Sequence, residues 1–191
     1  MVVVDDGSSD NTAKASRKAG ASVISYKPNQ GVGVATLKGL NFAMKNNYNF
    51  IIFMDGDGQH DPKYLPEFIR KLKNNDLVVG WRDLSNYPWN LKLWNFSMRT
   101  LTGLICPTGI KDPECGYRAI KLEGAKKLRL EGKRYEKDAE FIYEAWRNKF
   151  KVDQVRIKVP VFHRRVGGIK AANLGRAFKN VAYLLKIRFS R

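Results

Sequence analysis

The sequence predicts an α/β fold on a mainly parallel sheet with helices on both faces, and three observations predict it. Apolar runs without alternation, at Met1-Val2-Val3-Val4, Phe50-Ile51-Ile52-Phe53-Met54 and Leu77-Val78-Val79-Gly80, read as strands covered on both sides. Helix-forming stretches separate them, as in a chain of βα units. The first two runs end on acidic loops, Asp5-Asp6 and Asp55-Gly56-Asp57, at the carboxyl ends of strands where such sheets collect their ligands.

Each element follows from its own residues. Met1 to Val4 is the first strand, and the polar turn from Asp5 to Thr12 hands over to a helix reaching Ala19. Val23 to Tyr26 is a short second strand, and the loop Asn29-Gln30-Gly31-Val32-Gly33 leads into a helix spanning about Val34 to Lys45. Phe50 to Met54 is the third strand. Beyond its acidic loop, Pro62 starts a helix with Tyr64, Leu65, Phe68, Ile69 and Leu72 on one side and Asp61 as its cap. Leu77 to Gly80 is the fourth strand. From Trp81 to Pro113, the aromatics Trp81, Trp89, Trp94 and Phe96 interleave with Arg82, Lys92 and Arg99, which suits either core packing or a helix at a bilayer surface. Glu136 to Arg147 is a helix with Ala139, Phe141, Ile142 and Ala145 available for packing. In Val152 to Val161, Val155, Ile157, Val159 and Val161 alternate with Arg156 and Lys158, a half-exposed strand. The last helix, Ala171 to Arg188, carries the stripe Leu174, Phe178, Val181, Leu185 and a basic remainder of Arg176, Lys179, Lys186 and Arg188. No repeat or low-complexity linker divides the chain, so residues 1–170 read as one domain and 171–191 as an amphipathic, basic helical appendage.

A chain of 191 residues buries roughly 70% of its unfolded surface and can own a core. With 43% hydrophobic residues, 16 Gly and 7 Pro, it is neither disordered nor collagen-like. Its 35 Lys and Arg against 18 Asp and Glu give a net charge of +17, a field that draws phosphates, nucleic acids or anionic bilayers. Cys106 and Cys115 form no C-x-x-C pair, which points to a reducing compartment. No stretch approaches the roughly 20 apolar residues of a bilayer span.

The acidic loops carry the chemistry. Asp55-Gly56-Asp57 sets two carboxylates two residues apart behind a strand, Gln59 adds an amide oxygen, and His60 can support them by hydrogen bonding. Mg2+ and Mn2+ take such oxygen ligands, commonly one or two protein carboxylates together with substrate phosphates. Read locally, the same stretch is equally a polar turn. The loop from Asn29 to Gly33 lacks a full G-x-G-x-x-G pattern, since Thr36 stands at its last position, and suits close helix packing. Asp5 and Asp6 can accept from ribose or nucleobase donors, while Ser8, Ser9 or Asp10 can cap the following helix.

Taken in order, Asp5-Asp6-Gly7-Ser8-Ser9-Asp10-Asn11-Thr12, Asn29-x-Gly31-x-Gly33, Asp55-Gly56-Asp57-Gly58-Gln59-His60-x-Pro62 and Gly80-x-Arg82 resemble the family-2, GT-A-fold glycosyltransferases. Asp112-Pro113-Glu114-Cys115-Gly116-Tyr117-Arg118 and His163-Arg164-Arg165-Val166-Gly167-Gly168-Ile169-Lys170 resemble segments of the dolichyl- or polyprenyl-phosphate sugar synthase branch, with Ile169 where that branch has serine. The resemblance implies a GT-A-like nucleotide-diphospho-sugar transferase fold and inverting transfer of mannose or glucose from a nucleotide-diphosphate sugar to a lipid monophosphate. It implies donor contacts from Asp5, Asp6, Ser8, Asp55 and Arg82, and an Mg2+ or Mn2+ ion on Asp57 and Gln59. Arg118, Arg164 and Lys170 would close over phosphates, with Asp112 and Glu140 near the sugar or ordering the arginines. It also implies a peripheral enzyme at the cytoplasmic face of an anionic membrane. Members of the family ordinarily begin with a further strand and a Pro-x-Tyr-Asn-Glu-like loop that this sequence does not show. It is expected either to be a truncated version of a longer protein, the favoured reading, which would expose a sheet edge and half of the donor pocket, or to build its pocket another way.

A phosphomonoester acceptor, with a second pKa of about 6, needs no strong base. A saccharide-hydroxyl acceptor would need one, with Asp112 or Glu140 as candidates. A nucleic-acid or polyphosphate-binding protein fits the charge, but clustered carboxylates in the cleft would repel a polyanion.

Overall fold

The computed structural model describes residues 1–85, 87–132, 134, 136–159 and 171–190, with Leu91 and residues 171–178 as backbone alone. The chain runs β1 (Val2–Asp5), α1 (Thr12–Lys18), β2 (Ser22–Ser25), α2 (Val32–Lys45), β3 (Phe50–Phe53), a 3-10 turn (Pro62–Tyr64), α3 (Leu65–Leu72), β4 (Leu77–Arg82), α4 (Trp89–Ile105), β5 (Arg118–Lys121), α5 (Leu122–Ala125), α6 (Glu136–Arg147), β6 (Val152–Ile157) and α7 (Ala171–Ser190). Asp61 caps the turn before α3 by accepting from the Lys63 N–H at 2.9 Å, with Pro62 behind it as expected. In β6, Val155 and Ile157 are buried while Arg156 is exposed, as the alternation requires; Val161 lies outside the described residues.

The strands form two ladders. β1 pairs with β2 in parallel, while a four-stranded sheet has the order β3-β5-β4-β6. β4 and β6 are parallel, and β5 runs against both β3 and β4. This reversed strand had no signal in the sequence, because Arg118 and Lys121 bracket its two apolar residues, Ala119 and Ile120. Burial by the flanking sheet, rather than strand propensity, holds it in place.

Among the described pairings, β1 and β3 each keep one edge unpaired. A cavity of about 600 Å³ opens between them, lined by Met1, Val2 and Val4 on one side and by residues 50–56 on the other. Helix α2 packs on both strands and roofs the gap. The gap leaves these two edges without a ladder partner among the described residues. It also explains why the apolar runs of β1 and β3 stay half-buried, whereas Leu77, Val78 and Val79 of β4 are sealed.

The core lies between the four-stranded sheet and helices α3 and α6, with Phe68, Leu72, Phe141 and Ile142 packed on Leu77, Val79 and Ile120. Leu184 and Ile187 of α7 enter that same core, and the helix packs on α4 and α6. Its buried stripe is set by these two residues and Asn180, so Leu185, expected to share a stripe with Val181, points to solvent. The side chains of Leu174, Phe178 and Arg176 lie outside the described residues.

Candidate active site

The loop after β3 is built to hold Asp55 outward and to fix its backbone inward. The Asp55 N–H donates to His60 Nδ1 at 2.9 Å, and the His60 ring stacks on Tyr117, which stacks in turn on Phe68 in the core. Burial pushes the His60 pKa below its ordinary value despite the opposing pull of Asp55 and Asp57. A neutral imidazole accepting at Nδ1 matches this supporting role. The Tyr117 hydroxyl donates to the Asp61 carbonyl at 3.3 Å and ties down the far end of the loop. Asp55 and Asp57 both remain exposed, and Asp57 accepts from the Gln59 N–H at 3.1 Å.

The Asp55 carboxylate lies against Gly116 at the cavity wall. A Cβ added to Gly116 would stand 2.9 Å from Asp55 Oδ2, so the carboxylate occupies the space that a side chain would take. Arg118 and Lys137 line the same cavity. The Arg118 guanidinium is already employed: it donates to the Cys115 and Pro113 carbonyls at 2.8 Å and pairs with Asp138 at 3.2 Å. Its Nη1 is buried and has no partner among the described residues. Arg118 thus orders the 113–118 segment, with one donor left over.

On the neighbouring side, Arg82 and Asp112 form a bidentate pair, Nε to Oδ2 at 2.6 Å and Nη2 to Oδ1 at 2.8 Å. Asn95 of α4 donates to Asp112 at 3.2 Å as well. Burial alone would raise the Asp112 pKa, but the Arg82 charge and these hydrogen bonds outweigh it and hold the carboxyl below the usual range. Burial likewise opposes the charge on Arg82, and Asp112 overcomes it, so the guanidinium pKa is raised. Next to this pair, Glu114 accepts from Trp94 Nε1 at 3.3 Å, and burial pushes its carboxyl up.

The structure places several sequence-named residues in bracing positions. Asp5 is buried, accepting from the Ser8 N–H at 3.0 Å and the Ser25 hydroxyl at 2.7 Å, and hydrogen bonds from these two serines lower its pKa. Asp6 accepts from the Gln30 and Gly31 N–H groups, both at 2.8 Å, so it shapes the Asn29 to Gly33 loop. Gly31 takes φ 102° there, and Gly7, at φ 76°, would put a Cβ 3.0 Å from the Tyr26 carbonyl. Ser8 thereby serves Asp5 through its backbone. Glu140 is fully buried, accepting from the Glu131 N–H at 2.9 Å, the Gly132 N–H at 2.7 Å and the Tyr183 hydroxyl at 2.6 Å. That geometry ties α7 to α6. Arg164 and Lys170 lie outside the described residues.

Sequence reasoning quoted Glu114, Gly116 and Trp94 without giving them a role in the site, and it missed Lys137, Asp138 and Asn95. Glu114 stands two residues from Asp112, the spacing of Asp55 and Asp57, so its signal was available. Asn95 and Asp138 had none, because only the fold brings α4 and α6 to the 112–118 segment.

Among the described residues, no group of three or more His, Cys, Asp or Glu side chains forms a metal cage. Two exposed carboxylates and an amide oxygen suit a hard ion that takes its remaining ligands from a diphosphate. Asp55, Asp57 and Gln59 fit that description.

Fold and site together define a GT-A-like nucleotide-sugar transferase. The chain belongs to glycosyl transferase family 2, which matches it over residues 1–129. It is 34% identical over 167 residues to an uncharacterized protein of Methanocaldococcus jannaschii, covering 83% of this chain and 69% of that one. It is 28% identical over 217 residues to the UDP-N-acetylglucosamine–dolichyl-phosphate N-acetylglucosaminyltransferase of Methanococcus voltae, covering 100% of this chain and 86% of the relative. Glucosyl-3-phosphoglycerate synthase from Mycobacterium tuberculosis, solved with Mn2+, uridine-diphosphate-glucose and phosphoglyceric acid, shares the fold at a TM-score of 0.75 and 20% identity, over 98% of this chain and 68% of that structure.

Proposed function

We propose that the chain transfers a hexosyl residue, mannose or glucose, from a nucleotide-diphosphate sugar to the phosphate of a dolichyl or polyprenyl phosphate, with inversion. One observation carries the choice of acceptor: both carboxylates that the sequence offered as a base for a sugar hydroxyl, Asp112 and Glu140, are engaged. Asp112 is locked to Arg82 and Asn95, and Glu140 is buried under two backbone N–H groups and a tyrosine hydroxyl. Asp112, held below the usual carboxylate range by Arg82, is a weak base. A phosphomonoester supplies its own anionic oxygen, and the lipid-phosphate acceptor of the Methanococcus voltae relative supports the same choice.

In this reading Asp57 and Gln59 would hold Mg2+ or Mn2+, which would supply positive charge against the departing diphosphate. The lipid phosphate oxygen attacks the anomeric carbon, the bond to the diphosphate breaks, and the nucleoside diphosphate leaves with the electron pair. Asp55 lies in the donor pocket, with Gly116 giving it room. Lys137 and the spare Nη1 of Arg118 add positive charge at the cavity wall, and the family resemblance assigns phosphate contacts to Arg164 and Lys170, which lie outside the described residues. Asp5, Asp6 and Ser8 shape the loops that meet the nucleoside. Arg82 acts on phosphate only by loosening from Asp112. No helix among the described residues is long and apolar enough to cross a membrane, and we place the protein on a cytoplasmic membrane face by surface contact.

Glu114 favours a second reading, because its raised pKa suits a general base for a sugar hydroxyl. Transfer from UDP- and GDP-hexoses to a short prenyl phosphate and to oligosaccharides, in wild type and Glu114→Gln, separates the two. Product on the prenyl phosphate, retained in the variant, supports the lipid-phosphate reading. Product on oligosaccharide alone, reduced by about a hundredfold or more in the variant, would replace it with the second.

A further inference from the structure

Helix α4 turns opposite faces to opposite tasks. Its inner face buries Met98, Thr102 and Ile105 and sends Trp94 and Asn95 to the site carboxylates Glu114 and Asp112. Its outer face is apolar where a surface helix is ordinarily polar: Trp89 is 76% exposed, Leu93 54%, Phe96 63% and Leu104 75%. Steps of three, four and eight residues put all four on one side. Lys92 and Arg99, seven residues apart, flank this stripe on the same helix and line a groove of about 370 Å³ with Lys111 and Trp81. α7 packs alongside α4 and carries exposed apolar residues of its own, Leu185 and Phe189, beside exposed Lys186.

We propose that this outer face of α4 docks the protein on an anionic bilayer. Aromatic and leucine side chains suit the headgroup boundary, and flanking cations meet lipid phosphates. A net charge of +17 favours such a surface over a second copy of the chain, which would bring equal charges together. The helix body, about 10–12 Å across, is all that separates the bilayer from the groups bonded to Asp112 and Glu114. The inference deepens the lipid-phosphate reading by naming the surface that meets the acceptor's membrane, and rests on that reading only for the identity of the acceptor.

The test pairs flotation on phosphatidylcholine vesicles, with and without phosphatidylglycerol, with transfer to a short, water-soluble prenyl phosphate that needs no membrane. The full chain should float with the anionic vesicles. Leu93→Glu/Phe96→Glu should reduce flotation by about tenfold or more, and Lys92→Glu/Arg99→Glu should remove the preference for phosphatidylglycerol. Both variants change exposed side chains and should keep the parental melting temperature and soluble-acceptor transfer. Flotation unchanged in the apolar double variant overturns docking by α4, as does absence of flotation in the parent. A parental dimer in sedimentation that the apolar variant turns into a monomer makes this face a self-interface and also overturns the proposal. Loss of soluble transfer in the parent, with flotation intact, counts against the proposed function and leaves docking standing.

Discussion

The two sides of the candidate site are built to different degrees. Around Arg82 and Asp112, a sealed central strand, a bidentate ion pair and a helix side chain fix every group. Between β1 and β3, the walls are half-buried strands with unpaired edges, and Asp55 stands exposed over a cavity. Rigid geometry belongs to the side that orders the 112–118 segment, and open space belongs to the side proposed for the donor. Ligand sites are commonly drawn from the less stable part of a fold, because that part must admit and release its ligand.

Hydrogen exchange gives the widest expected contrast. A two-stranded ladder is marginal by itself, so amides of β1 and β2 should exchange by local opening, on the order of a hundredfold or more faster than those of β4. Equal protection of the two ladders would erase the distinction between the sides.

Breaking the closed side should register in stability. Asp112→Asn leaves Arg82 without its anion, and loss of one partner of such a buried pair costs about 3 kcal/mol or more by urea unfolding. The sign with pH follows from the lowered Asp112 pKa. Its stabilisation is complete above the unfolded carboxylate value of about 3.9 and is lost as pH falls through the lower folded value. Wild type should therefore lose stability through this acid range, and the variant should show a shallower decline. Parallel curves would mean that the pair contributes nothing to acid stability.

The open side should behave in the opposite way. Asp57→Asn should lower metal-dependent transfer on the order of a hundredfold to a thousandfold while leaving unfolding within about 0.5 kcal/mol of wild type. Titration calorimetry with donor and Mn2+ should show the same loss. Full donor affinity in the variant would remove Asp57 from the site.

How much of this was legible in the sequence divides along the same line. The strands β1, β3 and β4 announced themselves by apolar runs, and the acidic loops by position, because local pattern and burial agree there. The motif that resembles a donor site also led to Asp55, Arg82, Asp112 and Arg118, which the fold does gather around the 112–118 segment. Their tasks were not legible. A carboxylate that accepts backbone N–H groups, like Asp6 or Glu140, has the same letter as one that meets a ligand, and only the fold shows which donors reach it. β5 was hidden for a related reason: its four residues are a strand only because β3 and β4 lie on either side.

Gly116 joins the two sides, so it offers the finest test of their independence. It lies between Glu114, which neighbours the Arg82–Asp112 pair, and Arg118, which lines the open cavity, and its missing side chain is the space taken by the Asp55 carboxylate. In Gly116→Ala, the new Cβ would sit 2.9 Å from Asp55 Oδ2 and 3.4 Å from its Cγ, too close for all to stay. The obstacle is the end of an exposed side chain rather than backbone, so the carboxylate should rotate aside and the segment should hold. Donor affinity should then fall by about tenfold, the scale of a displaced supporting group, while Asp112-dependent acid stability stays as in wild type. Calorimetric donor titration and pH-dependent melting on the same protein report the two quantities separately. If the acid profile moves together with donor affinity, Gly116 transmits strain into the Arg82–Asp112 pair, and the two sides of the site are one mechanical unit.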